Sequence, residues 1–569
     1  MNVQNRRTPL TYRPWVFWIA ALVVFAPGPA APSGSMVVSN ILRSRLTLLQ
    51  TNGRLMVGGE SIVANRVLTD IYAQSHGEAR WLDASTASQL MAAIRSCTED
   101  GLRPQDYHLA ALSKMVPLPG NGIADPHFIA ERDLLLTDAL VRLAFHLYYG
   151  KVNPRSLNPR WQVPPTIGYI EAASLINRQI EASGVARFVE RLRPDHPHYR
   201  RLRQALSIYR QIAAAGGWDR IPEGPLIEKG DRDSRVPLIR MRLRHTGDLP
   251  ESSNRRGDRF DLELENAVAR FQDRHGITFF DPGSEDRYGA VGMDTLDRMN
   301  LPADHLVDRI RINLERARWI LHHLPDRYVL ADIAGFDVKL VEGGRRVWTS
   351  RAQVGDVYRK TPVFSSSITY MEVNPTWTVP PGILDDSILP EIRALPRGGW
   401  LDRFALFDRR GNRIAHPERI DWHRYTGATL PYRLVQPPGP SNPVGRIKFI
   451  FPNPDFVFMH DTPEKAFFDL ERRDLSAGCV RIEQPFALAR HLLRLDGQSG
   501  RDRLATALKS GKTIRIHFKR PLPVILFYGT VSVESRGEIV FREDVYDRDS
   551  KLLKALDAPA RLWNTGGGS

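Results

Sequence analysis

A histidine and a cysteine nineteen residues apart form the most informative pattern in this sequence. His460 begins the segment HDT, and Cys479 lies in the segment SAGCVR. A cysteine becomes a nucleophile when a base takes its proton, and imidazole is the usual base. Gly478 has no Cβ, so a substrate carbonyl can approach the thiol while backbone N–H groups point at the developing oxyanion. Together with its polar neighbour Ser476, the pattern predicts nucleophilic catalysis by Cys479 with His460 as base.

A buried structural thiol is the alternative interpretation, because free cysteines are often buried. The only other cysteine is Cys97, which lies in a helical pattern and is predicted to belong to a core. Two cysteines in 569 residues do not form a disulfide framework. The 16 histidines show no metal-ligand spacing, so neither a metal nor an organic cofactor is expected.

The order of His460, a gap of this length and the pattern Ser-x-Gly-Cys-x-Arg resembles the YkuD-type catalytic domain of L,D-transpeptidases. These enzymes crosslink bacterial peptidoglycan through an acyl-enzyme on cysteine. Two positions differ from many members, because Ala477 stands where many have histidine and Arg481 where many have asparagine. The arginine form resembles the large, lid-bearing branch found in Gram-negative bacteria.

This resemblance implies a mechanism of acyl transfer. The Cys479 thiolate would attack the carbonyl between the third residue of a donor stem and its terminal D-alanine, and His460 would protonate the departing D-alanine. Backbone N–H groups near Gly478 and Cys479 would hold the oxyanion. Attack by a second stem's side-chain amine would give a 3-3 crosslink, and attack by water would give L,D-carboxypeptidase activity. Arg481 would position a substrate carboxylate or brace the loop, and Asp461 or a backbone carbonyl would orient the imidazole.

Two other functional classes stay open. A non-catalytic wall-binding scaffold would not need Cys479, and the intact pair with His460 argues against it. A cysteine peptidase acting on proteins would share the chemistry but would leave the remaining domains without a clear role.

Composition bears on the partner. The net charge is +15 and the pI is about 9.9, which suggests a polyanionic partner. Acidic residues are interspersed with the basic ones and no basic run stands out, so nucleic acid is not expected. Peptidoglycan stem peptides carry carboxylates and suit a basic surface. The expected partners are therefore donor and acceptor stems together with glycan strands.

Residues 1–34 have the pattern of a signal peptide or N-terminal anchor. Arg6, Arg7 and Arg13 precede an apolar stretch at 15–26, which breakers and small residues follow. A permanent membrane span needs about 20 apolar residues, so this stretch is short for an anchor. The pattern predicts export to the periplasm, with inner-membrane attachment only if the segment stays uncleaved.

The length predicts three or four domains. Helical periodicity over 62–225 resembles a scaffold domain, residues 228–300 resemble a three-helix peptidoglycan-binding domain, and 301–327 form a linker helix. The pattern changes to period two over 328–548, which predicts a β-rich, sandwich-like catalytic domain, and 549–569 are expected to be a C-terminal tail. The predicted fold class is therefore multidomain α+β.

Within that catalytic domain, residues 382–438 leave the period-two pattern. A stretch of this length in a compact domain is usually functional or disordered, and its aromatic content argues against disorder. It resembles the lid of the Gram-negative branch, although a second small packing unit is the alternative. Asn374 and Trp377 before it, and Asn442 and Arg446 after it, are predicted to bind substrate or to serve the structure alone.

Overall fold

The computed structural model describes residues 33–116, 125–159, 161, 169–253, 257–277, 279, 286–497 and 500–563. The predicted export segment lies outside the described residues except for its last two positions. None of the helices in the described part of the chain combines the length and apolarity needed to cross a membrane.

The first part of the chain is helical. Its helices are α1 (Ser33–Asn52), α2 (Asn65–Gln74), α3 (Ala84–Ser96), α4 (Leu109–Met115), α5 (Pro126–Tyr149), α6 (Pro154–Leu157), α7 (Tyr169–Arg191) and α8 (Pro197–Ala214), and a hairpin of β1 (Leu55–Val57) and β2 (Glu60–Ile62) follows α1. The helix α5 is buried along most of its length, because the leucines of its apolar stripe meet helices on several sides. Gly150 ends this helix.

A smaller helical unit and a connecting helix come next. The unit contains α9 (Val236–His245), α10 (Leu262–His275) and α11 (Met293–Met299), which share one apolar core. The connecting helix α12 (Ala303–Leu321) packs against α8. These three helices lie in the described part of the range expected for a wall-binding module.

The catalytic region is built on one mixed sheet of nine strands. Its members are β3 (Arg327–Asp332), β4 (Asp337–Glu342), β5 (Arg345–Gly355), β6 (Phe364–Val373), β10 (Ile447–Ile450), β11 (Met459–His460), β12 (Asp474–Ser476), β13 (Val480–Ile482) and β14 (Ile514–Phe527). The order is β12, β5, β13, β11, β10, β6, β14, β3, β4, and β4 also pairs with β5. The sheet therefore closes on itself around an apolar interior, against which α16 (Pro485–Leu495) and α17 (Gly500–Lys509) pack. The α+β multidomain organisation predicted from the sequence is confirmed.

The long segment between β6 and β10 forms a unit of its own, here called the capping unit (377–436). It contains α13 (Pro381–Ile383), α14 (Leu389–Ala394), α15 (Trp400–Arg403) and a three-stranded sheet of β7 (Trp377–Thr378), β9 (Arg433–Gln436) and β8 (Ala405–Phe407). A separate apolar core holds it together, with Trp400 and Trp422 edge to face at 5.2 Å between ring centroids.

The last residues return to the helical part of the molecule. A hairpin of β15 (Val531–Val533) and β16 (Ile539–Phe541) packs on α8 and α12, and α18 (Asp549–Asp557) follows. Leu552 and Leu556 of α18 are each 1% exposed and belong to the core of the first helical domain. Residues 549–557, expected to be part of a tail, are therefore a packed helix.

Candidate active site

Two short parallel strands hold His460 and Cys479 on neighbouring chains of the sheet. The strand β11 ends at His460, and β13 begins directly after Cys479. Met459 lies opposite Val480, and the Val480 N–H donates to the Phe458 carbonyl at 2.9 Å. Neighbouring strands lie about 4.8 Å apart and side chains alternate along a strand, so the register puts His460 and Cys479 on neighbouring chains and on the same face, two positions apart.

Hydrogen bonds within the loop before β13 shape the surroundings of the nucleophile. The buried Ser476 Oγ donates to the Cys479 carbonyl at 2.5 Å and accepts from the Gly478 N–H at 3.1 Å. Gly478 has a φ of +109°, which residues with a side chain rarely adopt, so the backbone conformation itself favours glycine. Ser476 engages the Gly478 N–H, which is one of the two donors expected for an oxyanion.

Residues distant in sequence hold this loop from behind. Thr361 Oγ1 donates to the Gly478 carbonyl at 2.9 Å and accepts from the Gly355 N–H at 2.8 Å. The Thr361 N–H in turn donates to the Tyr546 hydroxyl at 3.1 Å. A Cβ on Gly355 would lie 2.1 Å from the Arg359 carbonyl oxygen and 3.0 Å from the Gly478 Cα. Sequence reasoning missed these residues, because no local spacing connects them with the nucleophile.

His460 is buried and oriented by a backbone carbonyl. Its Nδ1 donates to the Asp461 carbonyl oxygen at 2.5 Å, and because a carbonyl can only accept, the proton lies on Nδ1 and Nε2 is the free base. Burial, with a smaller effect of Arg481, lowers the pKa of His460 to about 3. The Asp461 carboxylate instead accepts from the Arg446 N–H at 2.8 Å and the Lys465 ammonium at 2.7 Å. Of the two expected orienting groups, the carbonyl is therefore the one in contact.

The pKa shifts of Cys479 and His460 leave both side chains uncharged before the reaction. The thiol is partly buried, its Sγ lies 4.0 Å from the Phe456 carbonyl oxygen, and burial raises its pKa. With the pKa of the thiol raised and the pKa of the imidazole lowered, both groups are neutral near pH 7, which favours proton transfer to His460 as sulfur attacks rather than a preformed ion pair. Cys97 is completely buried next to α3, and burial raises its pKa as well, which is typical of a core thiol.

Arg481 is engaged within the protein. Its guanidinium contacts the Glu464 carboxylate and donates to Gln353 Oε1 at 3.2 Å. The Gln353 side chain also donates to the Glu464 carbonyl at 3.3 Å. Of the two roles expected for Arg481, these contacts correspond to bracing the loop between β11 and β13.

Known proteins resemble this chain in two regions. Residues 326–517 match the family model for the L,D-transpeptidase catalytic domain (YkuD), and residues 66–206 match the scaffold domain. The chain contains a YkuD-type L,D-transpeptidase catalytic domain. A Haemophilus influenzae protein whose name provisionally assigns it to the L,D-transpeptidases is 32% identical over 250 residues. That match covers 44% of this chain and 49% of the relative. The chain therefore spans about half the length of this relative.

Solved structures of L,D-transpeptidases are more distant from this chain. One from Mycobacterium smegmatis is 11% identical, with a TM-score of 0.18, covering 35% of this chain and 58% of that chain. Another, residues 123–326 of a Xylanimonas cellulosilytica L,D-transpeptidase, is 14% identical, with a TM-score of 0.16, covering 54% and 99% respectively. The assignment of the domain rests on the sequence matches, since such low TM-scores carry no structural argument.

Two of the predicted substrate contacts are internal in the L,D-transpeptidase domain. The Asn374 side chain is 5% exposed and donates to three backbone carbonyls at and beyond the end of α17, at 2.9, 3.3 and 3.3 Å. The completely buried Asn442 donates to the Pro375 and Pro437 carbonyls at 3.1 Å each. Because both amides are satisfied inside the fold, their contacts correspond to the structural one of the two roles expected for them.

The other two predicted contacts differ in their exposure. Trp377 lies in β7 and packs against the core of the capping unit, 6.2 Å from the Phe404 ring. Arg446 is exposed, and its guanidinium donates to the Leu508 carbonyl at 3.1 Å. The backbone of Arg446 lies close to the backbone of Asp461 in the catalytic domain. Arg446 is therefore the member of this group whose charge remains accessible to a ligand.

The capping unit also contacts the catalytic loop region. Arg359, whose carbonyl lies against Gly355, forms an ion pair with Asp386 of the capping unit at 3.4 Å. Both side chains are largely exposed, so this pair contributes little stability. Its position indicates that the capping unit stands beside the segment that holds the nucleophile loop.

Proposed function

We propose that this protein is an L,D-transpeptidase that forms 3-3 crosslinks in peptidoglycan through an acyl-enzyme on Cys479. The observation that carries the proposal is the position of a thiol and a buried neutral imidazole, with its Nε2 free, on adjacent strands. As sulfur attacks the donor carbonyl, the S–H bond breaks and the proton passes to His460. The Cys479 N–H supports the oxyanion, and one lost donor in such a hole typically costs about 10²–10³ in rate.

The second half of the reaction returns the enzyme. When the tetrahedral intermediate collapses, the C–N bond to D-alanine breaks and His460 gives its proton to the leaving amine. The side-chain amine of an acceptor stem then attacks the thioester and loses a proton to His460, and the thiol leaves with that proton. Attack by water would release the stem as a free acid, and this L,D-carboxypeptidase reaction is the alternative outcome of the same acyl-enzyme.

Mass spectrometry of products tests the proposal directly. Purified disaccharide-tetrapeptide incubated with the enzyme should give a dimer that lacks one terminal D-alanine, and the Cys479→Ala variant should give none. Cys97→Ser is the matched control, because it removes the other thiol of the chain and should retain activity. Monomeric tripeptide as the only product would favour the carboxypeptidase, and unchanged substrate would reject both activities.

We propose further that residues 228–300 bind peptidoglycan and that the enzyme acts in the periplasm. The compact three-helix core supports a self-contained module there, and the apolar segment near the N-terminus supports export. Co-sedimentation of Cys479→Ala protein with insoluble peptidoglycan, with and without residues 228–300, tests the binding. Equal sedimentation of both proteins would contradict the wall-binding role, and fractionation of cells would locate the enzyme.

A further inference from the structure

A row of polar side chains crosses the active-site sheet in register. Neighbouring strands pair, in order, the residues Arg515, Glu372, Lys448, His460, Arg481 and Gln353. Residues directly opposite one another in a ladder project from the same face, and their Cβ atoms lie about 4.5–5.5 Å apart in antiparallel pairs. Lys448 of β10 therefore lies directly beside the catalytic base.

Lys448 differs from the arginines of this row in how its charge is held. Arg515 is paired with Glu372 at 2.9 Å, and Arg481 is paired with Glu464. Within the described ranges Lys448 makes no ion pair, and its Nζ lies 4.0 Å from the centroid of the Phe458 ring. The ring attracts the ammonium through its π face. The backbone carbonyl of Phe458 also accepts a hydrogen bond from the N–H of Val480, the residue directly after Cys479.

We propose that the Lys448 ammonium stabilises the negative charge on Cys479 Sγ as His460 takes the thiol proton. In this step the S–H bond breaks, the proton bonds to His460 Nε2 and the electron pair stays on sulfur, which attacks the carbonyl. The role deepens the proposed function, since it rests on Cys479 as the nucleophile. Lys448 would act through Cys479 and is thus a positioning residue.

The charges that surround Lys448 support this assignment. Glu372 faces it from β6, His460 from β11, Arg481 from β13 and Cys479 from the loop. Burial lowers the pKa of Lys448, and the nearby Cys479 and then Glu372 oppose that shift. The positive charge of Lys448 also lowers the pKa of Cys479 and the pKa of His460. This cation thus stabilises the thiolate and disfavours the imidazolium, so its favourable effect in the step falls on the sulfur.

The pH dependence of thiol alkylation tests the role without any peptidoglycan substrate. In a Cys97→Ser background, the rate at which iodoacetamide modifies Cys479 is followed by intact mass from about pH 6 to about pH 10. Lys448→Met keeps the apolar stem on the Phe458 ring and removes the charge. Loss of an adjacent opposite charge commonly changes an ionisation about tenfold or more. We expect alkylation about tenfold slower at neutral pH and a profile displaced toward alkaline pH.

Matched variants separate this role from a structural one. Lys448→Arg should restore most of the wild-type profile, and Arg515→Met, which removes a cation farther along the row, should leave the profile unchanged. Lys448→Gln serves as a second neutral variant if Lys448→Met does not fold. A folded neutral variant with the wild-type profile would overturn the proposal, even if its crosslinking were reduced. Failure of the proposed function would instead appear as crosslinking by Cys479→Ala.

Discussion

Gly355 offers a sharp test of how the nucleophile loop is positioned. A Cβ at this position would lie 2.1 Å from the Arg359 carbonyl oxygen, 2.6 Å from the Thr361 nitrogen and 3.0 Å from the Gly478 Cα. Ordinary contacts of carbon lie near 3.5 Å, so these backbone atoms must move by about 1 Å. Overpacking of this kind costs about 1–3 kcal/mol, and a misplacement of about 1 Å at a reacting group costs about a hundredfold in rate.

We therefore expect Gly355→Ala to unfold at lower denaturant and to crosslink about a hundredfold more slowly. Gly439→Ala is the matched control, because a Cβ there meets no atom within 4 Å. Chemical denaturation reports the free energy of unfolding, and the yield of dimer from disaccharide-tetrapeptide reports turnover. A folded Gly355→Ala variant with wild-type turnover would refute the inference that Gly355 and Thr361 set the position of the loop.

Three further predictions follow from the site. A carbapenem should add once per chain and map to the peptide with Cys479, because Cys97 is completely buried; an adduct on Cys97 would mean that the nucleophile is misassigned. Since the pKa of His460 is lowered to about 3, the imidazole is already a base at pH 5, and acylation rates should not fall through a midpoint near pH 6.5 as the pH decreases. Replacement of 385–432 by a short Gly/Ser connection should leave the sheet folded, because the capping unit has its own core, and should slow turnover about a hundredfold. Wild-type crosslinking by the folded deletion would contradict a lid role.

Local patterns predicted most of the elements, and long-range contacts decided the rest. The helix α5 and the β3–β4–β5 meander follow from periodicity and from the turn at Gly343 and Gly344, both of which have positive φ. The closure of the sheet through the pairing of β5 with β13 and of β14 with β3 leaves no such local pattern, because these strands lie far apart in sequence. The same applies to α18, whose amphipathic pattern does not reveal that its partner is the first helical domain.

The candidate site shows the same division. The types and spacing of His460 and Cys479 predict a base and a nucleophile from sequence alone, and the fold carries the two residues on neighbouring chains of the sheet. Asn374 and Asn442 lie in segments typical of the family, but a motif does not distinguish an amide that binds substrate from one that binds backbone. Thr361 could not be found at all, because its contact with Gly478 spans 117 positions and depends on the fold.

The packing of α18 has a consequence for how the molecule assembles during synthesis. The first helical domain buries Leu552 and Leu556 and ties Arg103 to the Asp557 carbonyl, a contact across 454 positions. The core of the first helical domain is therefore complete only after almost the whole polypeptide has emerged from the ribosome. Delayed closure of this kind keeps apolar surface exposed for longer and slows folding.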